Sequence, residues 1–101
     1  MASAIYQAFR QAIRHRMQIT CTYQGHTRVL CPHTLGHKNG QEKVLSYQFA
    51  GGSSKGLPPG GQWRCMFLDE VSAVTAHHGP WHTGSGHSRP QTCVDQIDEE
   101  V

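Results

Sequence analysis

The feature that most constrains this chain is the alternation on either side of Gly25. Ile19, Cys21 and Tyr23 alternate with Gln18, Thr20 and Thr22, the period of a strand with one buried face. Gly25 marks a turn, because glycine takes a left-handed backbone at no steric cost. Residues 18–35 therefore predict a β-hairpin. A two-residue loop at Gly25-His26 would pair Cys21 with Leu30 and Tyr23 with Arg28. A three-residue loop, Gln24-Gly25-His26, pairs Tyr23 with Thr27, Cys21 with Val29 and Ile19 with Cys31. Cross-strand partners share a face, so the second register gathers the apolar residues and sends Arg28 outward beside Thr22. It is the preferred expectation, and three-residue loops with a glycine bulge are common.

The remaining elements arrange themselves around that hairpin. Residues 3–17 predict an amphipathic helix capped by Ser3, with Ile5, Ala8, Phe9, Ala12, Ile13 and Met17 on one side and Gln7, Arg10, Gln11, Arg14 and His15 on the other. Asn39-Gly40 is a turn dipeptide. A third strand follows at 42–50, with Leu45, Tyr47 and Phe49 on one face. Residues 51–61 are a Gly/Ser/Pro-rich connector. Strands at 62–69 and 71–76 complete the set, separated by a tight bend at Asp69-Glu70. The expected fold is mainly β: a small barrel of about five antiparallel strands behind an N-terminal α-helix. Residues 1–78 form that domain, and 79–101, poor in aliphatics, form a flexible C-terminal tail in which Trp81 tucks back onto the barrel and Val94 and Ile97 make one weak helical turn.

A length of 101 residues suits one domain with a modest core. Net charge is +2 with a pI of about 8.5, milder than the pI above ~9 that flags a nucleic-acid binder. The charge is uneven, with Arg10, Arg14 and Arg16 early and Asp95, Asp98, Glu99 and Glu100 late. Four cysteines lie at 21, 31, 65 and 93 with no Cys-x-x-Cys. Three of them fall inside expected strands among apolar neighbours, where a free cysteine behaves as a small hydrophobe, and a thiol-reduced, cytoplasmic protein is the expectation. The N-terminus shows no basic-then-apolar signal pattern, and no run approaches the ~18 apolar residues of a membrane span.

The hairpin resembles the WYL domain family, in which Ile-x-x-x-Tyr-x-Gly leads into Arg-x-x-x-Pro-x-x-Leu. Here Ile19, Tyr23, Gly25, Arg28, Pro32 and Leu35 fill those places. Leu45 matches the leucine of the name-giving Trp-Tyr-Leu, the rest of which this chain lacks. The signature Arg-x-Phe-Arg-Leu-Asp-Arg-Ile is met by Arg64, Leu68, Asp69 and Val71, with Met66, Phe67 and Glu70 replacing the phenylalanine and both later arginines. The likeness covers roughly residues 5–76. It implies an SH3- or Sm-like barrel, of a kind usually attached to bacterial transcription regulators, that binds nucleic acid or a nucleotide-like ligand.

The residues themselves offer a binding surface. Arg28 and Arg64 are planar, permanently charged donors suited to phosphate. Tyr47, Trp63 or Tyr23 could stack a base, as in small barrels that hold single strands. His33 and Lys55 are accessory donors. The alternative places Tyr23 and Trp63 in the core and Arg28 on a surface ladder. Eight histidines, with His77, His78, His82 and His87 close together, raise a metal site. Adjacent strand residues point to opposite faces, though, and no zinc-type spacing occurs. No cysteine or serine sits in a pattern that activates a nucleophile. The expectation is a noncatalytic binding domain without cofactor or metal, for single-stranded nucleic acid or a nucleotide-like anion, with Arg28 and Arg64 together at the rim. The alternative is a protein-interaction or dimerisation module using the helix face or a strand edge that Pro32 marks.

Overall fold

A computed structural model describes residues 3–52, 61–82 and 93–101. Helix α1 (Ala4–His15) precedes strands β1 (Gln18–Tyr23), β2 (His26–Lys38), β3 (Gln41–Gly51) and β4 (Gln62–Phe67). A single 3-10 turn at Leu68–Glu70 leads to β5 (Val71–His77), and β6 (Gln96–Glu100) follows. The molecule is mainly β, with one N-terminal helix.

Helix α1 begins where Ser3 Oγ accepts the Tyr6 amide at 3.0 Å, satisfying one of the orphan donors of a helix start. The Ser3 hydroxyl also donates to Glu42 of β3 at 2.7 Å. The helix ends at Arg16, whose backbone is left-handed at φ 51°. Tyr6, Phe9, Ala12 and Ile13 are its buried residues. Ile5 and Met17 pack at the margin. Phe9 is fully buried, which alone stabilises the fold by roughly 1.5–3 kcal/mol.

The sheet is antiparallel and open. Its order is β4-β3-β2-β1-β5, with β6 also paired to β2. Among the described residues β4 does not pair with β5, so no barrel closes. Strand β2 is long enough for two neighbours on one side. Its first half pairs with β1, through Leu30, and its second half with β6, from Thr34. Pro32, which donates no amide hydrogen bond, falls in the gap between them and is buried. It therefore does not mark an exposed edge.

The hairpin register differs from both sequence alternatives. Tyr23 pairs with His26, Cys21 with Arg28 and Ile19 with Leu30. The loop is Gln24-Gly25, with φ of 52° and 79°, the doubly positive turn whose twist matches that of the strands it joins. Turn geometry outweighed the apolar pairing that favoured a three-residue loop. One consequence is that Arg28 faces inward, only 3% exposed.

Bulges at Val29/Leu30 and Pro32/Thr34 shift the β2–β3 register. Val44, Ser46 and Gln48 therefore face the helix side, with Met66, Leu30 and Leu35. Tyr47 lies between Cys31 and Trp63 on the opposite face.

The segment expected to be a flexible tail contains β6, and Val94 and Ile97 form no helical turn. Residues 83–92 lie outside the described residues. Cys93 is joined to Cys65 of β4 by a disulfide, across a Cα separation of 5.6 Å, so these two are not the free thiols expected. Cys21 and Cys31 are free and buried. Among the described residues no helix is long and apolar enough to cross a membrane.

Candidate functional site

The helix-side face of the sheet carries the candidate site, where β2, β3 and β4 meet. Gln48, fully buried on β3, is its hub. Its carboxamide nitrogen donates to the Ala50 carbonyl at 3.1 Å and to the Gly52 carbonyl at 3.0 Å. That fixes the amide orientation and aims Oε1 at two guanidinium groups. Arg28 Nη1 donates to this oxygen at 3.2 Å and Arg64 Nε at 3.0 Å. Arg28 Nε also donates to the Tyr23 carbonyl at 3.2 Å, and its guanidinium lies 5.2 Å from the centroid of the Tyr23 ring, a cation–π contact.

The electrostatics are lopsided. Carboxylates pair with Arg10, Arg14 and His37; among the described residues none pairs with Arg28 or Arg64. Arg64 Nη2 is buried without a hydrogen-bond partner among the described residues. Burial, and then the charge of Arg28, pull the Arg64 pKa below its ordinary value. A guanidinium starts so high that it stays charged. Two like charges thus converge on one neutral oxygen, an arrangement that costs free energy unless an anion compensates it.

The structure brings Arg28 and Arg64 together, as the sequence expectation required, but inside the curved face rather than on an outer ladder. It separates them from Tyr47 and His33. Tyr47 is buried on the other face, edge-on to Trp63 with centroids 5.2 Å apart. His33, a bulge residue of β2, has Nδ1 2.7 Å from the Cys31 carbonyl, so that nitrogen donates. Its ring meets Trp63 at 4.8 Å and Trp81 at 5.0 Å, and Trp81 does fold back onto the sheet. His82 stacks on Phe49 at 3.9 Å. This second face is a packed aromatic layer. Lys55 lies outside the described residues.

Gln48 is the member that sequence reasoning missed. Its signal was a polar residue in phase with Val44 and Ser46, legible only once that phase is known to face the core. Among the described residues no three His, Cys, Asp or Glu side chains are grouped to hold a metal. His77 Nε2 instead lies 2.8 Å from Thr20 Oγ1. No protein-family model matches the chain, and neither do curated proteins or solved structures.

Proposed function

We propose that this is a noncatalytic domain that binds a nucleotide-like anion or the phosphates of a nucleic-acid strand between Arg28 and Arg64, in a regulatory role. The carrying observation is the shared Gln48 Oε1. Two guanidinium groups, one almost wholly buried, point at a single neutral acceptor, and among the described residues neither is paired with a carboxylate. A phosphate oxygen entering there gains charge-assisted bonds from both and takes up the unmatched Arg64 Nη2. The resemblance of Arg28, Pro32, Leu35, Arg64 and Asp69 to WYL motifs supports the same ligand class and an SH3- or Sm-like ancestry for the open sheet.

The test is a titration of isotope-labelled chain with nucleotides and short single strands. The Arg28 and Arg64 side-chain resonances shift first. Single-strand affinity falls with salt, with a log–log slope of about 0.7 for each phosphate engaged. A salt-insensitive complex, or shifts confined to the Tyr47–Trp63 face, would overturn the assignment. The reading also carries the cytoplasmic setting expected from the sequence, where thiol buffers disfavour disulfides. Alkylation of freshly isolated, denatured chain checks it: all four cysteines react in a reducing setting, but only Cys21 and Cys31 if the disulfide persists.

A further inference from the structure

Strand β6 sits in a groove between α1 and the second half of β2, and its acidic side chains find a matched set of receivers there. Asp98 is an extra residue in the ladder, because Leu35 pairs with Glu99 while Gly36 pairs with Ile97. Such a bulge re-aims neighbouring side chains, and here Asp98 and Glu99 both meet the helix. Asp98 accepts from the Tyr6 hydroxyl and lies 2.9 Å from His37 Nδ1. Glu99 accepts from Arg10 at 3.3 Å and Arg14 at 2.9 Å. Glu100 accepts from the Thr34 hydroxyl at 2.8 Å. The backbone is gripped as well: Asp95 N–H donates to the His37 carbonyl at 2.9 Å and Val101 N–H to the His33 carbonyl at 2.8 Å. The fit is tight at Gly36, where a Cβ would come within 1.9 Å of the Gln96 carbonyl oxygen.

The side-chain contacts that bind Asp98, Glu99 and Glu100 to the groove join residues 61 (His37 to Asp98) to 92 positions apart. None depends on the strand belonging to the same chain as the groove. Within one chain the strand is held by the polypeptide itself and by the covalent link of Cys93 to Cys65, of which only the second can open. We propose that the groove is an interface between copies of this chain: where the Cys65–Cys93 bond is open, residues 96–100 of one copy occupy the groove of a second, and the exchange is reciprocal. The second copy is the fitting occupant because it carries the same bulged Ile97-Asp98-Glu99-Glu100 pattern opposite the same Arg10, Arg14, Tyr6 and His37. The contact is isologous and closes as a two-fold dimer.

The experiment uses full-length chains carrying Cys93→Ser. One also has Arg10→Glu and Arg14→Glu, the other Glu99→Arg. Within each variant the strand and its groove repel. Between the two, both exchanged pairings are matched. Native mass spectrometry at roughly 0.1–1 mM, near the effective concentration a tether provides, should show a heterodimer at least tenfold more abundant than either homodimer. Circular dichroism monitors folding, which mixing should strengthen. Independently of those charge changes, the Cys93→Ser chain should move from one to two chains in mass as its concentration rises. Adding Gly36→Val should return it to monomer. A Cys93→Ser chain that stays monomeric throughout, or a mixture without heterodimer, would overturn the proposal.

Discussion

Arg28 and Arg64 donate to the same oxygen, Oε1 of Gln48, at 3.2 and 3.0 Å. The shared acceptor leaves two cations confined together. Replacing Arg64 by methionine keeps most of the stem while removing one charge. The lost hydrogen bond costs roughly 0.5–1.5 kcal/mol, and relief of desolvation and repulsion outweighs it, for a net gain of about 1 kcal/mol. For a domain of this size that raises the melting temperature by roughly 4–8 °C. Added nucleotide should raise the melting temperature of the parent and leave Arg64→Met unmoved. A variant that melts below the ligand-free parent would make Arg64 a structural residue instead.

The Gln24-Gly25 turn predicts a second outcome. Gln24 holds φ at 52°, a conformation that costs an ordinary L-residue roughly 1–2 kcal/mol and that asparagine tolerates better. Gln24→Asn should therefore stabilise the chain by about 0.5–1 kcal/mol, read as a higher urea midpoint at unchanged slope. An unchanged or lower midpoint would show that the glutamine is not strained there.

The same hairpin shows how far the sequence could be read. The helix and the first five strands were legible because period 3.6 and period 2 dominate those segments, and Ser3, Gly25, Asn39-Gly40 and Asp69-Glu70 punctuate them. The register was not, because counting apolar pairs treated Arg28 as a surface residue. In the structure the Tyr23 carbonyl and Gln48 accept from its Nε and Nη1, and both lie outside any local pattern. Strand β6 was hidden for a related reason. Gln96–Glu100 has no apolar alternation, and its strand exists because Tyr6, Arg10, Arg14, Thr34 and His37 receive its carboxylates. The pairing of Cys65 with Cys93, 28 residues apart, likewise leaves no mark in spacing. Of the candidate site, the two arginines were visible as residue types. Their convergence rests on bulges in β2 and β3 that set which residues face the core.

Thiol reactivity gives a third check. Burial pushes the Cys21 thiol up to about 11, against the opposing charge of Arg28. Burial raises Cys31 as well, against the His82 amide, which lies 3.3 Å from its sulfur. Only the thiolate is a nucleophile, so at pH 8 Cys21 should alkylate on the order of a hundredfold more slowly than an ordinary cysteine from ionisation alone. Iodoacetamide time courses read by peptide mass spectrometry should show Cys21 lagging in native chain and reacting freely in urea. Fast native labelling of Cys21 would mean that β1 opens readily.

The helix–strand clamp at Glu99 makes the last prediction. Burial by itself would raise the Glu99 carboxyl, but hydrogen bonds from Arg14 and Arg10 outweigh it and leave the pKa below the usual carboxylate range. A carboxyl that is more acidic folded than unfolded contributes stability in full above its unfolded value, near pH 4.3. The contribution is lost as pH falls from there through the lower folded value, because protonation then favours the unfolded chain. Both arginines are partly exposed, so solvent screens the pair and holds its worth to about 1 kcal/mol or less. Glu99→Gln should therefore lower the urea midpoint at pH 7, and the deficit should shrink progressively as the pH falls below about 4.3, the unfolded value. High salt at pH 7 should narrow the same gap, since screening acts on the parent alone. A deficit that persisted unchanged in acid would place the role of Glu99 in packing rather than in its charge.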